Sequence, residues 1–224
     1  MFVPVMATTT WQQTGGIEGG NIETMAIDPS NPQTIYIGTY RGGVFKSTDS
    51  GAHWNTVNTG LTGRDVRSLV ITKSTPQTIY AGTWDGGVFK STNSGASWSA
   101  VNNGLSITAV GSLAIDPSNQ LIIYAGTYDC VSKSSDGGES WRAVNNGLTN
   151  AYIRSFAITS SIPQTVYAAT IWGGGGVYKS TDGGSSWNLA INGLTTTDIQ
   201  SLAIDPTNNH TVYAGKYGGT GAGV

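Results

Sequence analysis

Gly43-Val44-Phe45-Lys46-Ser47-Thr48-Asp49-Ser50-Gly51-Ala52-His53-Trp54 decides the fold, because the chain says it again and again. Gly87 to Thr92 repeats Gly43 to Thr48 residue for residue. Working outward, Trp11, Trp54, Trp98, Trp141 and Trp187 recur every 43 to 46 residues, and so do Tyr36, Tyr80, Tyr124, Tyr167 and Tyr213. Ala26-Ile27-Asp28-Pro29-Ser30-Asn31 returns at Ala114 to Asn119 and, slightly altered, at Ala203 to Asn208. Self-similarity at this period signals an array of one supersecondary unit.

Each unit reads as four short strands. Val66 to Thr72 is small and apolar; Thr78 to Thr83 is β-branched and aromatic; Val88 to Ser91 follows; a fourth strand runs from Trp98 toward Asn103-Gly104. Gly, Pro and Asn punctuate the gaps and no sustained helical period appears. A four-stranded antiparallel unit of roughly 40–50 residues is a propeller blade. The expectation is an all-β, five-bladed β-propeller that occupies residues 1–224 as one domain.

The ends of the chain share a register. Val44, Val88, Val131 and Val177 each lie ten residues before a blade tryptophan; Met1 lies ten before Trp11, and Val224 holds the same blade position. Residues 2–16 are therefore expected to supply the third and fourth strands of the last blade, closing the ring and removing both sheet edges. A piece of a longer repeat array is the alternative.

Composition agrees and excludes several functions. Gly numbers 32 and charged residues are 11%, which suits short strands and tight turns, while 38% apolar residues can fill a core. The net charge is −2 with no basic stretch, so a nucleic-acid groove is not expected. Cys130 is the only cysteine; it allows neither an intrachain disulfide nor a cysteine metal site. No metal and no cofactor are expected. No apolar run is long enough to span a bilayer, and Met1 to Met6 lacks the basic start of a signal peptide. Gly173 to Gly176 is not followed by a helix that would make it a phosphate loop, and His53 and His210 stand apart. Asn209-His210-Thr211 spells a glycosylation sequon.

The turn between strands three and four carries Ser-x-Asp-x-Gly-x-x-Trp at Ser47, Asp49, Gly51, Trp54; at Ser134, Asp136, Gly138, Trp141; and at Ser180, Asp182, Gly184, Trp187. Blade two has Asn93 in place of the Asp. This pattern resembles the Asp-box, or BNR, repeat of sialidases, xyloglucanases, sortilin and photosystem II assembly factors, over nearly the whole chain. The resemblance implies a propeller with its boxes opposite the functional face, in a secreted or periplasmic setting. A short carboxylate or amide can fix a tight turn through backbone N–H groups, so Asp49, Asn93, Asp136 and Asp182 are read as structural. Pro4, Met6 and Thr8 stand where a fifth box would be.

Function is then expected on the other face. An aromatic opens each loop between strands two and three: Tyr40-Arg41, Trp84-Asp85, Tyr128-Asp129, Trp172-Gly173 and Tyr217-Gly218. Aromatic faces beside Arg or Asp are suited to sugars, which makes Tyr40, Arg41, Trp84, Asp85, Tyr128, Asp129, Trp172 and Tyr217 candidate ligand residues; closing the strand ends is their alternative role. At one position of strand one stand Glu23, Arg67, Gly111, Arg154 and Gln200, and just before it Asn21, Asp65, Ala109, Tyr152 and Asp198. The arginines could clamp a carboxylate or phosphate, and Asp65 with Asp198 could be a glycosidase pair; a polar ring lining a wet channel is the other reading. Expected, then, is a monomeric, non-catalytic, lectin-like module for glycan or protein. A sialidase- or xyloglucanase-type hydrolase and a designed or reconstructed scaffold are the alternatives.

Overall fold

A computed structural model describes residues 21–74, 77–149, 152–160, 164–171, 175–194 and 197–216. Blade one is β1 (Ile22–Ile27), β2 (Ile35–Thr39), β3 (Gly43–Ser47) and β4 (Asn55–Thr56). Blade two is β5 (Val66–Ile71), β6 (Ile79–Thr83), β7 (Gly87–Ser91) and β8 (Ser99–Ala100). Blade three is β9 (Val110–Ile115), β10 (Ile123–Thr127), β11 (Val131–Ser134) and β12 (Arg142–Ala143). Blade four is β13 (Tyr152–Ile158), β14 (Val166–Ile171), β15 (Val177–Ser180) and β16 (Asn188–Leu189). Blade five contributes β17 (Ile199–Asp205) and β18 (Asn208–Lys216). Each sheet is an antiparallel meander in strand order. Five sheets in an all-β chain are the blades that the period predicts; residues 2–16, expected to complete the fifth, lie outside the described residues.

The β-branched and aromatic second strand makes the middle of each blade. All five residues of β6 and of β10 are buried. Such strands are covered on both faces and read as continuous apolar runs rather than alternating ones. The covering comes from the next blade: Cβ atoms added at Gly38 and Gly82 would overlap Val66 and Val110, so glycine there lets the neighbouring sheet approach closely. The apolar clusters accordingly cross blades, Tyr36 of blade one packing with Val66 and Trp98 of blade two.

Two polar stitches repeat at the three seams that join blades one to four. The blade tryptophan donates Nε1–H to the preceding blade: Trp98 to Val57 O at 2.7 Å, Trp141 to Val101 O at 2.7 Å and Trp187 to Val144 O at 2.8 Å. The strand-two tyrosine donates its hydroxyl to the next blade's box turn: Tyr36 to Ser94 O, Tyr80 to Gly137 O and Tyr124 to Gly183 O, at 2.9–3.1 Å. Burial pushes these three phenols up to about 12, so they stay neutral donors. A buried ring with a satisfied polar tip combines area and direction, which is why Trp and Tyr hold these places.

Candidate functional site

Strand one of every blade carries a β-bulge at the same place. Ile22 pairs with Thr39 but Thr24 with Gly38, leaving Glu23 as the extra residue. The same count isolates Arg67, Gly111, Arg154 and Gln200. A bulge turns its extra residue out of the ladder. Here all five turn into one cavity of about 220 Å³ on the propeller axis, bordered also by Ser68, Ser112 and Ser155.

The ring of bulges is an ionic network. Arg67 Nη2 donates to Asp65 Oδ2 at 2.8 Å, and Nε lies 2.6 Å from Oδ1 in a mainly coulombic contact. Arg67 Nη1 is 3.2 Å from Glu23 Oε2, and Arg154 Nη2 reaches the same oxygen at 4.0 Å across the channel. Arg154 Nε donates to Gln200 Oε1 at 3.3 Å. Burial opposes the Arg67 charge, but the hydrogen bond and charge of Asp65, with Glu23, hold its pKa above the ordinary value. Arg154 is half-buried, with Gln200, Glu23 and the hydrogen-bonded Tyr152 hydroxyl around it, and a guanidinium carries five N–H donors.

Gly111 stands where its counterparts are charged or amide residues because Tyr152 of the next blade fills the space: a Cβ there would overlap the Tyr152 ring. Tyr152 in turn anchors an aromatic cluster. Its ring centroid lies 5.3 Å from Trp84, edge to face, and 6.3 Å from Tyr128, stacked; Trp84 and Tyr128 are 6.4 Å apart. Arg67 lies over Tyr40 at 5.3 Å and over Trp84 at 5.9 Å, and Arg41 covers Tyr40 at 4.7 Å. Cation–π contacts thus join the loop aromatics to the channel ring. Tyr128 keeps 48% of its surface exposed.

The expected site residues therefore divide. Tyr40, Arg41, Trp84 and Tyr128 join one surface with Glu23, Arg67 and Arg154. Asp129 is exposed beside Tyr128, whereas Asp85 spends its carboxylate on the backbone N–H groups of Arg64 and Asp65. Asp65 is buried and tied to Arg67, and Asp198 stands half-buried just before β17. Trp172 and Tyr217 lie outside the described residues. Tyr152 as the hub of the aromatic cluster was not legible from its own position; the glycine opposite it, in a ring of long polar residues, was the available signal. Among the described residues, no group of three or more His, Cys, Asp or Glu could hold a metal ion, and no helix is long and apolar enough to cross a membrane.

The boxes lie at the other end of the strands, as the antiparallel order requires. Ser47 donates to Asp49 Oδ1, Gly51 N–H to Ser47 Oγ and His53 N–H to Asp49 Oδ1, all at 2.8–2.9 Å. Asn93, Asp136 and Asp182 repeat this, accepting from the N–H of Ser97, Ser140 and Ser186. The acceptor spans four residues, longer than an Asx turn. Asp136 and Asp182 also accept the hydroxyls of Ser140 and Ser186 at 2.5 Å, which leads the lowering of their pKa to about 2.

Blades of four antiparallel strands, seamed by tryptophan and tyrosine and turned by these boxes, define a β-propeller of Asp-box repeats. The family model Sortilin-Vps10, described as sortilin, neurotensin receptor 3, matches residues 42–170. The chain belongs to that family. No curated protein gives a significant match. Among solved structures, an ancestral GH74 enzyme aligns with a TM-score of 0.72 at 27% identity, over 94% of this chain and 29% of its own. The GH74 xyloglucanase from Xanthomonas campestris aligns at 0.69 and 20% identity, over 87% and 35%. YCF48 bound to D1 peptide aligns at 0.62 and 15% identity, over 89% and 62%. The chain thus spans about a third of the length of the two enzymes.

Proposed function

We propose that this chain is a non-catalytic, monomeric recognition propeller that holds a glycan on its loop face. The observation that carries the reading is the Trp84, Tyr128 and Tyr152 cluster standing beside the five-bulge channel. Sugar C–H faces stack on aromatic rings while hydroxyls need polar partners. Arg154, Gln200, Arg41 and Asp129 supply the polar partners. Likeness to an ancestral GH74 enzyme supports a carbohydrate ligand.

That likeness also favours a second reading, glycoside hydrolysis. Two-carboxylate hydrolysis needs an acid and a base facing each other across the scissile bond. Asp65, read from the sequence with Asp198 as a glycosidase pair, is instead engaged with Arg67, as is Glu23, and this weighs for binding over cleavage. Screening the purified protein on a glycan array, then titrating the best oligosaccharide calorimetrically, tests the proposal. Trp84→Ala is expected to weaken binding about ten-fold or more, roughly 1.4 kcal/mol, with the fold intact. Unchanged affinity with lost stability overturns the assignment of Trp84. An array without binding favours a protein ligand, as in the complex of YCF48 with D1 peptide.

A further inference from the structure

One carboxylate oxygen joins the two guanidiniums of the channel ring. Glu23 Oε2 lies 3.2 Å from Arg67 Nη1 and 4.0 Å from Arg154 Nη2, so the bulge of blade one stands between the arginines of blades two and four. Asp65 takes the rest of the Arg67 fork. Glu23 is 17% exposed and Asp65 8%, so both carboxylates belong to the wall of the channel. Asp198 holds in the last blade the place that Asp65 holds in blade two, and guanidiniums therefore do not outnumber carboxylates on this ring. Arg41 stands outside it, exposed over Tyr40. The uncharged groups of the ring are donors. Ser68 and Ser155 accept the N–H of Leu113 and Leu202, and a hydroxyl that accepts still has its own proton to give. Gln200 accepts Arg154 Nε–H on its carbonyl, which leaves its two amide N–H donors. All of these border the cavity of about 220 Å³.

We infer that Glu23 sets the specificity of this channel: a built-in carboxylate holds the place between Arg67 and Arg154, so the cavity takes the uncharged, hydroxyl-rich end of a neutral glycan and turns away uronate-type sugars. Its role as a filter rests on the loop face being the glycan site proposed above. The cause is competition for one place. An acidic sugar reaches both guanidiniums only by displacing Glu23, which strands a charge in a wall with little water. If Glu23 stays, two like charges share one site, and a half-buried site is screened by salt much less than an open surface. A sugar hydroxyl meets neither penalty. It accepts from Ser68, Ser155, Gln200 or Arg154 and donates to Glu23, the kind of convergent polar set that orients a ligand. Exclusion of one ligand by an internal like charge is a route to specificity that adds no contact to the other. With glutamine at position 23, Arg67 keeps Asp65, Arg154 loses the carboxylate it shares with Arg67, and the place between them passes to the ligand.

Proton–nitrogen NMR of the arginine Nε–H groups tests it, with methyl β-glucuronide and methyl β-glucoside as probes at constant ionic strength. The wild-type Arg154 signal is expected to ignore the glucuronide. In Glu23→Gln it should shift saturably, the affinity for the glucuronide rising about ten-fold or more. Gln is already the bulge residue of blade five and Gly that of blade three, so Glu23→Gly takes over, with the same expected result, should the first variant not fold. A wild-type protein that binds the glucuronide as tightly as the variant overturns the inference. So does a folded variant whose Arg154 signal ignores the glucuronide. A wild-type protein silent to the glucoside counts against the glycan reading of the loop face, and the two glucuronide titrations still decide on Glu23.

Discussion

Trp98→Ala should be among the most damaging single changes in the described blades. The ring is 4% exposed, lies in the cluster shared by blades one and two, and donates Nε1–H to Val57 O. Truncating a buried tryptophan to alanine costs about 3–5 kcal/mol through lost transfer and the cavity left behind. Val57 is half-buried, so water reaches part of its stranded carbonyl and about 4 kcal/mol is the working figure. For a chain of this length that lowers Tm by roughly 8–16 °C. Trp98→Phe keeps most of the ring and removes only the N–H and the ring edge, and should cost about 1–2 kcal/mol. Urea unfolding followed by far-UV circular dichroism separates the two, provided the m-value is unchanged. A loss within roughly 0.5 kcal/mol for the alanine variant would show that the seam does not depend on this ring.

Gly104→Ala and Gly51→Ala separate crowding from backbone strain, because both glycines have positive φ (81° and 92°) but only the Gly104 Cβ would overlap a backbone carbonyl, that of Trp141. Gly51→Ala should cost about 1 kcal/mol and Gly104→Ala clearly more, as read by denaturant midpoints; equal losses would refute the crowding. Asp136 and Asp182 have folded pKa values depressed to about 2 from 3.8, so their stabilisation is fully present above about pH 4 and lost as pH falls toward about 2. Asp136→Asn with Asp182→Asn should flatten that acid limb, since the amide does not titrate and Asn93 already serves in blade two; an unchanged limb in acid titrations of stability would refute it.

The period exposed the blades because duplicated units keep the residues that make seams, and Trp, Tyr and Gly each hold a place no other side chain fills. The same repetition hid the site. Glu23, Arg67, Gly111, Arg154 and Gln200 stood out only as a position that varies, and the bulge that aims them at the axis depends on pairing, not on their chemistry. Asp85 looked like Arg41 and Asp129 in register, yet its carboxylate closes the backbone before β5. No local pattern separates those uses. Tyr152 was visible as one of a variable set, but its contacts with Trp84 and Tyr128 bring together rings from three different blades.

Fluorine NMR of protein labelled with 5-fluorotryptophan, titrated with the best oligosaccharide from the array, tests the central claim most directly. Trp84 stands on the loop face, half-buried beside the channel, while Trp98, Trp141 and Trp187 are buried in the blade seams near the boxes. The account predicts that the Trp84 resonance shifts saturably while those three stay in place. A shift confined to Trp98, Trp141 or Trp187, with Trp84 unmoved, would contradict it.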